Sequence, residues 1–327
     1  MPYQTSPEID FSSIGLMVDV PSNAIPQGGW SDSLNVRCRN GSVQGVNAFA
    51  SDILLHHTDA NIANGEAKAV CQYTPAGGSS LVIAYIVKGV NGNGSVLLYD
   101  TGGSGNSRWD DITNATAVNV FTFDDDYPPQ IFVFNELIIV NPGTDAPPQF
   151  TTATNSAGSL APLPGWQVDS TGSPIICRIL RPYNQRLIAM SVKEEHGAGT
   201  ADDVYQPIDF LFSSHITTIA SLTAAQWTAS TTNTAGDVFL NATPGAILDG
   251  GQLGEFFIAY KTDSVVRIRE TGDTYVLAVD SIFEDDGIYS TRCFANIGNS
   301  QHLVVGNYGI YIHDGQSEKQ DIAKDLF

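Results

Sequence analysis

Two runs of three carboxylates, Asp124-Asp125-Asp126 and Glu284-Asp285-Asp286, are the first places to look for chemistry in this sequence. Three acids on one loop can hold Ca²⁺, but neither run has the alternating ligands and central glycine of an EF-hand loop, nor the glycine-rich nonapeptide spacing. Carboxylate pairs also cleave glycosides, yet the arginines are scattered and no Ser-x-Asp-x-Gly-x-x-Trp box accompanies the acids. His56-His57 with Asp59 lacks a locatable third metal ligand and reads as a solvated loop. Cys38, Cys71, Cys177 and Cys293 form no Cys-x-x-Cys and read as isolated thiols. Gly-x-Ser-x-Gly and Gly-x-x-x-x-Gly-Lys-Ser/Thr are absent. "GGSGNS" (102–107) follows "VLLYDT" with no helix after it, and reads as a hairpin tip rather than a phosphate cradle. Trp30, Trp109, Trp166 and Trp227 fall one per region, in the manner of packing residues rather than a sugar platform. No catalytic residue, metal or cofactor is expected, and the acidic runs read as strand-end loops.

The charge sets a second bound. Lys and Arg number 15 against 35 Asp and Glu, a formal net charge of −20. Such a chain repels nucleic acid and anionic membranes; the plainer reading of the acidity is solubility. The opening "MPYQTSPEIDFSSIG" has neither a basic nor an apolar signal region. No run approaches the roughly 18 apolar residues of a membrane helix.

The elements that must position these loops are strands. Short runs rich in Val, Ile, Phe and Tyr are separated by Gly, Asn, Asp, Ser and Thr, the pattern of an all-β protein. "SLVIAYIVKGVNGNGSVLLYD" (Ser80–Asp100) and "QIFVFNELIIVNPG" (Gln130–Gly143) each read as two strands around a polar turn. "SLTAAQWTAS" (Ser221–Ser230) could form two helical turns, and "SEKQDIAKDLF" (Ser317–Phe327) a terminal helix or another strand.

Apolar runs begin near Leu81, Leu137, Leu187, Phe256 and Leu303, at spacings of 56, 50, 69 and 47 residues. A β-propeller tolerates such uneven spacing, because each blade is a sheet of about four strands and insertions lie outside the packing. A strand covered on both faces by neighbouring blades must be apolar throughout. "FFIAY" (256–260) therefore reads as an inner strand and "VVRIRE" (265–270) as the strand outside it. The fold class expected is all-β, a propeller with irregular blades over 61–327 after an extended segment over 1–60; a β-sandwich with unequal loops is the alternative.

Three stretches carry a resemblance. "IPQGGWSDSLNVRCRNGSVQGV" (Ile25–Val46) contains Asn35, Val36, Arg37, Arg39, Gly41 and Val43 in an N-V-R-x-R-x-G-x-V pattern. "TAGDVFLNATPGAILDGGQLGEFFIAYKTDSVVRI" (Thr234–Ile268) approaches the hairpin just described. "GIYSTRCFANIGNSQHLVVGNYGIYIHDGQSEKQDIA" (Gly287–Ala323) contains Val305, Gly306, Asp314 and Gly315 in a V-x-G…D-G pattern. Together they resemble the tail hub or nozzle proteins of short-tailed bacteriophages, β-propeller proteins at the distal end of the tail tube. The resemblance implies a structural virion protein, made in the host cytoplasm and assembled as a cyclic homo-oligomer, a hexamer, around a channel crossed by ejected DNA. It implies portal-side adaptor proteins and tail fibres as partners, and only transient, non-specific DNA contact. The acidic runs, Asp124, Asp125, Asp126, Glu284, Asp285 and Asp286, become candidates to face that channel. It also implies further strands beyond "YIHDG"; if the chain ends at Phe327, the segment Asn35–Val46 is the candidate to close the propeller. A propeller-type carbohydrate-binding module touching the host surface is the competing function.

Overall fold

In the computed structural model the described residues are 65–88, 93–100, 110–113, 121–144, 146–152, 160–163, 166, 175–194, 204–217, 226–272, 276–298 and 300–322, with the backbone of four short strands before them. Two compact units divide at His56/His57. In the first, β1 (Gly15–Leu16) pairs in parallel with β2 (Gly29–Trp30), and β3 (Val36–Arg39) pairs antiparallel with β4 (Ser42–Gly45). The Asn35–Val46 segment is thus a hairpin at its described strands.

The second unit is built of strands, with no α-helix among the described residues. Its strands form five successive four-stranded antiparallel sheets, each a meander in chain order. The first holds β5 (Glu66–Tyr73), β6 (Leu81–Val87), β7 (Gly94–Asp100) and β8 (Asp110–Asp111). The second holds β9 (Gln130–Phe134), β10 (Leu137–Asn141), β11 (Gln149–Thr152) and β12 (Ala161–Pro162). The third holds β13 (Ile175–Tyr183), β14 (Arg186–Glu194), β15 (Gln206–Phe212) and β16 (Gly236–Phe239). The fourth holds β17 (Ile247–Leu253), β18 (Phe256–Lys261), β19 (Val265–Glu270) and β20 (Leu277–Phe283). The fifth holds β21 (Phe294–Ile297), β22 (Gln301–Val305), β23 (Ile310–His313) and β24 (Lys319–Asp321). The terminal stretch that could be helix or strand is strand at β24.

Turn chemistry explains the hairpins. Asn135 and Glu136 both adopt positive φ, 47° and 65°, the conformation of a two-residue turn matched to strand twist, and Asn184 does so at 51°. All five apolar runs lie in the second strands, β6, β10, β14, β18 and β22. Side chains alternate across a strand, and in β6, β10, β14 and β18 both alternating sets are largely covered. Leu137 and Ile139 enter the core between the second and third sheets, while Ile138 and Val140 enter the core between the first and second. Likewise Phe257 and Ala259 pack toward the third sheet, and Ile258 and Tyr260 toward the fifth. Sheets stacked face on face leave no polar side for such a strand.

β18 pairs with β19, as the sequence suggests, and its other edge carries a strand that the sequence does not advertise, β17. β17 reads "ILDGGQL" and hides from a hydrophobicity scan. Its glycines make room for aromatics, since a Cβ on Gly250 would stand 2.8 Å from the Phe257 ring and one on Gly251 2.8 Å from the Phe294 ring. The first strands of neighbouring sheets lie together, β5 by β9, β9 by β13 and β13 by β17. The Gln130 side chain ties two of them, donating to Arg178 O at 3.1 Å and accepting from Leu180 N at 2.7 Å.

Candidate functional site

Each sheet hands the chain to the next through a connection from its fourth strand to the next first strand. Both acidic runs sit on such connections, Asp124–Asp126 before β9 and Glu284–Asp286 before β21. The two connections meet, since Thr291 Oγ1 donates to Asp126 O at 2.9 Å. Asp124 Oδ1 accepts the Asp126 N–H at 2.9 Å, an Asx turn that holds the first run in place. Asp125 is exposed, 3.7 Å from Lys68 Nζ, and Asp126, Glu284 and Asp285 are exposed too.

Asp286 departs from its group. It is 3% exposed, and its Oδ2 lies 2.6 Å from Lys319 Nζ. The chain is drawn inward there because Gly287 packs on the backbone of β18, where a Cβ would sit 2.1 Å from Lys261 O. A paired, buried carboxylate is not presented to solvent, so of the six expected acids Asp125, Asp126, Glu284 and Asp285 are exposed, Asp124 is half-exposed, and Asp286 is withdrawn.

Beside Asp124–Asp126 a cleft of about 460 Å³ is lined by Thr122, Phe123, Thr144, Arg178 and Tyr205. The Arg178 guanidinium is held between the rings of Tyr127 and Tyr205, at 4.0 and 4.3 Å, so a fixed cation stands among the carboxylates.

The first strands of several sheets are joined by a polar knot. Arg181 of β13 donates to Asp249 Oδ1 of β17 through Nε (3.1 Å) and Nη2 (2.8 Å). Asp249 Oδ1 also takes Gly250 N at 2.8 Å, and its Oδ2 takes Arg292 N at 2.9 Å. Arg292 Nη1 reaches Lys68 O of β5 at 3.0 Å, and Nη2 donates to Pro129 O before β9. The residue leading into the fifth sheet is thereby bonded to the first. Burial, then the nearby Arg181, lower the Arg292 pKa, with Asp249 opposing. Sequence reasoning passes over this knot because its members stand 68 and 43 residues apart, with no local pattern.

The remaining sequence candidates resolve into packing. Trp166 and Trp227 are buried edge-to-face, 4.0 Å between ring centroids. Cys177 is a buried free thiol whose pKa burial pushes up; Cys71 and Cys293 are free and half-buried. Among the described residues no three His, Cys, Asp or Glu are placed to hold a metal, and no helix is long and apolar enough to cross a membrane. His56, the Gly102–Ser107 tip, Trp109 and the side chains of Trp30 and Cys38 lie outside the described residues.

No protein-family model matches the chain, and no curated protein matches it. Among solved structures it is similar to the crystal structure of Citrobacter koseri AztD, with a TM-score of 0.33 and 10% identity over 73% of this chain and 70% of that one. It is also similar to apo AztD from Citrobacter koseri, with a TM-score of 0.34 and 10% identity over 78% and 79%.

Proposed function

We propose that this chain is a structural subunit of a bacteriophage tail, a β-propeller that assembles as a cyclic homo-oligomer at the distal tube through which DNA is ejected. The observation that carries the propeller reading is Arg292, which bonds the approach to the fifth sheet onto the first sheet across the inner edge of a face-stacked series of meanders. The tail reading rests on the resemblance of the Asn35–Val43, Thr234–Ile268 and Val305–Gly315 motifs. These map to hairpin β3–β4, to β16–β19 and to β22–β23, and so to strands and turns rather than to a reactive centre. Structural work is what such motifs serve. Because Arg181, Asp249 and Arg292 fill the inner edge, the DNA channel in this reading lies between subunits. The acidic connections then give it chemistry: carboxylates make no phosphate contacts that must be broken as DNA slides.

Mass spectrometry of purified virions, with the symmetry of the tail density, tests the proposal. A ring of copies of this chain in the tail is the expected result; its absence from particles, or a two-fold dimer within them, refutes it. The carbohydrate-binding alternative has its own observation, since Tyr289 and Tyr308 are 74% and 83% exposed and aromatic faces stack on sugars. Glycan binding abolished by Tyr308→Ala would favour it.

A further inference from the structure

A chain of buried polar groups crosses the otherwise apolar core between the fourth and fifth sheets. Tyr260 Oη of β18 lies 2.7 Å from His302 Nδ1 of β22 and 2.7 Å from His313 Nε2 of β23. All three residues are at most 2% exposed. The far ends are tied to backbone: His302 Nε2 stands 3.2 Å from Gln252 O, and Gly315 N donates to His313 Nδ1 at 3.1 Å. These partners decide the tautomers. A carbonyl only accepts, so His302 carries its hydrogen on Nε2 and leaves Nδ1 bare. An amide N–H only donates, so His313 is bare at Nδ1 and protonated at Nε2. The phenol accepts from His313 and donates to His302. Each of these hydrogens has an acceptor, and there is no place for another.

We infer that this His302–Tyr260–His313 chain is an acid-operated joint, holding the fifth sheet to the fourth at neutral pH and releasing it when the imidazoles take up protons. A proton on His313 Nδ1 would face the Gly315 N–H. A proton on His302 Nδ1 would face the hydroxyl hydrogen of Tyr260. Among the described residues no carboxylate hydrogen-bonds either ring, and only the charge of Asp314 favours a proton on His313. Asp249 is occupied by Arg181 and by Arg292 N, and Asp286 by Lys319. Asp314 is exposed and accepts from Gln316 N. Arg267 of β19, paired with Asp280 at 3.3 Å, donates to Gly315 O at 3.1 Å and so braces the turn after His313. Tyr311, another titratable group in this core, lies beside His313 and Phe283, and Cys293 packs against the same cluster. The rest of the contact is hydrocarbon and ring, from Phe283 and Phe294.

Burial lowers both histidines to about 4, with His302 adding to the effect on His313, and with the Gln252 carbonyl opposing it at His302 and Asp314 opposing it at His313. Released histidines titrate near 6.5, so the open form binds more protons between about 6.5 and about 4. The stability of the joint is therefore complete above that window and falls as pH drops through it. Elsewhere the same acidification discharges carboxylates in a chain of net charge −20 and relieves its self-repulsion. Opening then begins at the joint.

Hydrogen–deuterium exchange of the full chain at pH 7 and pH 4.5, corrected for intrinsic rates, tests this. Protection should fall at least about tenfold across 287–322 while β10, β14 and β18 keep theirs. The variant His302→Asn with His313→Gln keeps donor and acceptor types without titrating, and should hold its fifth sheet at pH 4.5. In the unsubstituted protein the histidine ring resonances should titrate together with the loss of protection. The inference is overturned if the fifth sheet stays protected at pH 4.5, if both rings titrate inside a protected sheet, or if the variant opens at the same pH.

Discussion

Arg292 concentrates the tension between local cost and tertiary gain. It adopts φ +60°, a conformation that non-glycine residues occupy at a cost of order 1 kcal/mol. The gain is its placement: backbone N–H on Asp249, guanidinium on carbonyls before β9 and in β5. Charge-assisted hydrogen bonds are worth about 1.5–3 kcal/mol each. Arg292 is itself exposed, so solvent competes for its guanidinium bonds, and Arg292→Ala should lower stability by about 1–2 kcal/mol, read as a shift in the urea midpoint. Arg292→Lys should recover only part of it, because an ammonium lacks the planar fork that reaches two carbonyls. An unchanged midpoint in the alanine variant would remove Arg292 as the tie between the fifth and first sheets. Asp286 teaches the same lesson on the acidic side. In sequence it is one of three equivalent acids; in the fold, Gly287 draws it inward to Lys319.

At the scale of elements, β18 is the sharpest case. Phe257 and Ile258 are both fully buried, but against different neighbouring sheets. Either one replaced by Asp puts an unpaired carboxylate into a closed core, and a loss of more than about 4 kcal/mol is expected. Given a typical domain stability of about 5–15 kcal/mol, most of the cooperative transition should vanish in a thermal melt followed by circular dichroism. Asp285→Ala, on an exposed connection, should shift stability by less than about 0.5 kcal/mol. Equal tolerance of both changes would contradict the face-on-face stacking. Strands β6, β10, β14 and β18 were legible as unbroken apolar runs because both their faces are covered. β17 was not, since its glycines contribute space rather than hydrophobic surface. β22 alternates more clearly, with His302 and Val304 buried while Val305 is 40% exposed.

For the whole molecule, the prediction concerns the acidic end. In the proposed tail ring, replacing Asp124, Asp125, Asp126, Glu284 and Asp285 by Lys in every copy would turn acidic connections into cationic ones; Asp286 is left in place because it pairs with Lys319. If these connections border a DNA channel, ejection should slow at low salt and recover as salt rises, since each phosphate–lysine contact releases counterions. Normally assembled particles ejecting at an unchanged rate would reduce the acidity to a solubility device.

The sequence by itself determined the all-β class, the positions of the five apolar second strands and the turns between them. These follow from periodicity and from φ preferences, which act over a few residues. It also determined that the acidic runs belong to connections, because each follows an apolar run and precedes a turn. Only the tertiary structure decided which strand lies beside which, that β17 flanks β18, that Asp286 is paired, and that Arg181, Asp249 and Arg292 share one site. The His302–Tyr260–His313 chain belongs with these. Its members lie 42 and 53 residues from the tyrosine, and their protonation is set by backbone groups of two different sheets. Such contacts arise from the stacking of whole sheets, and no local pattern encodes them.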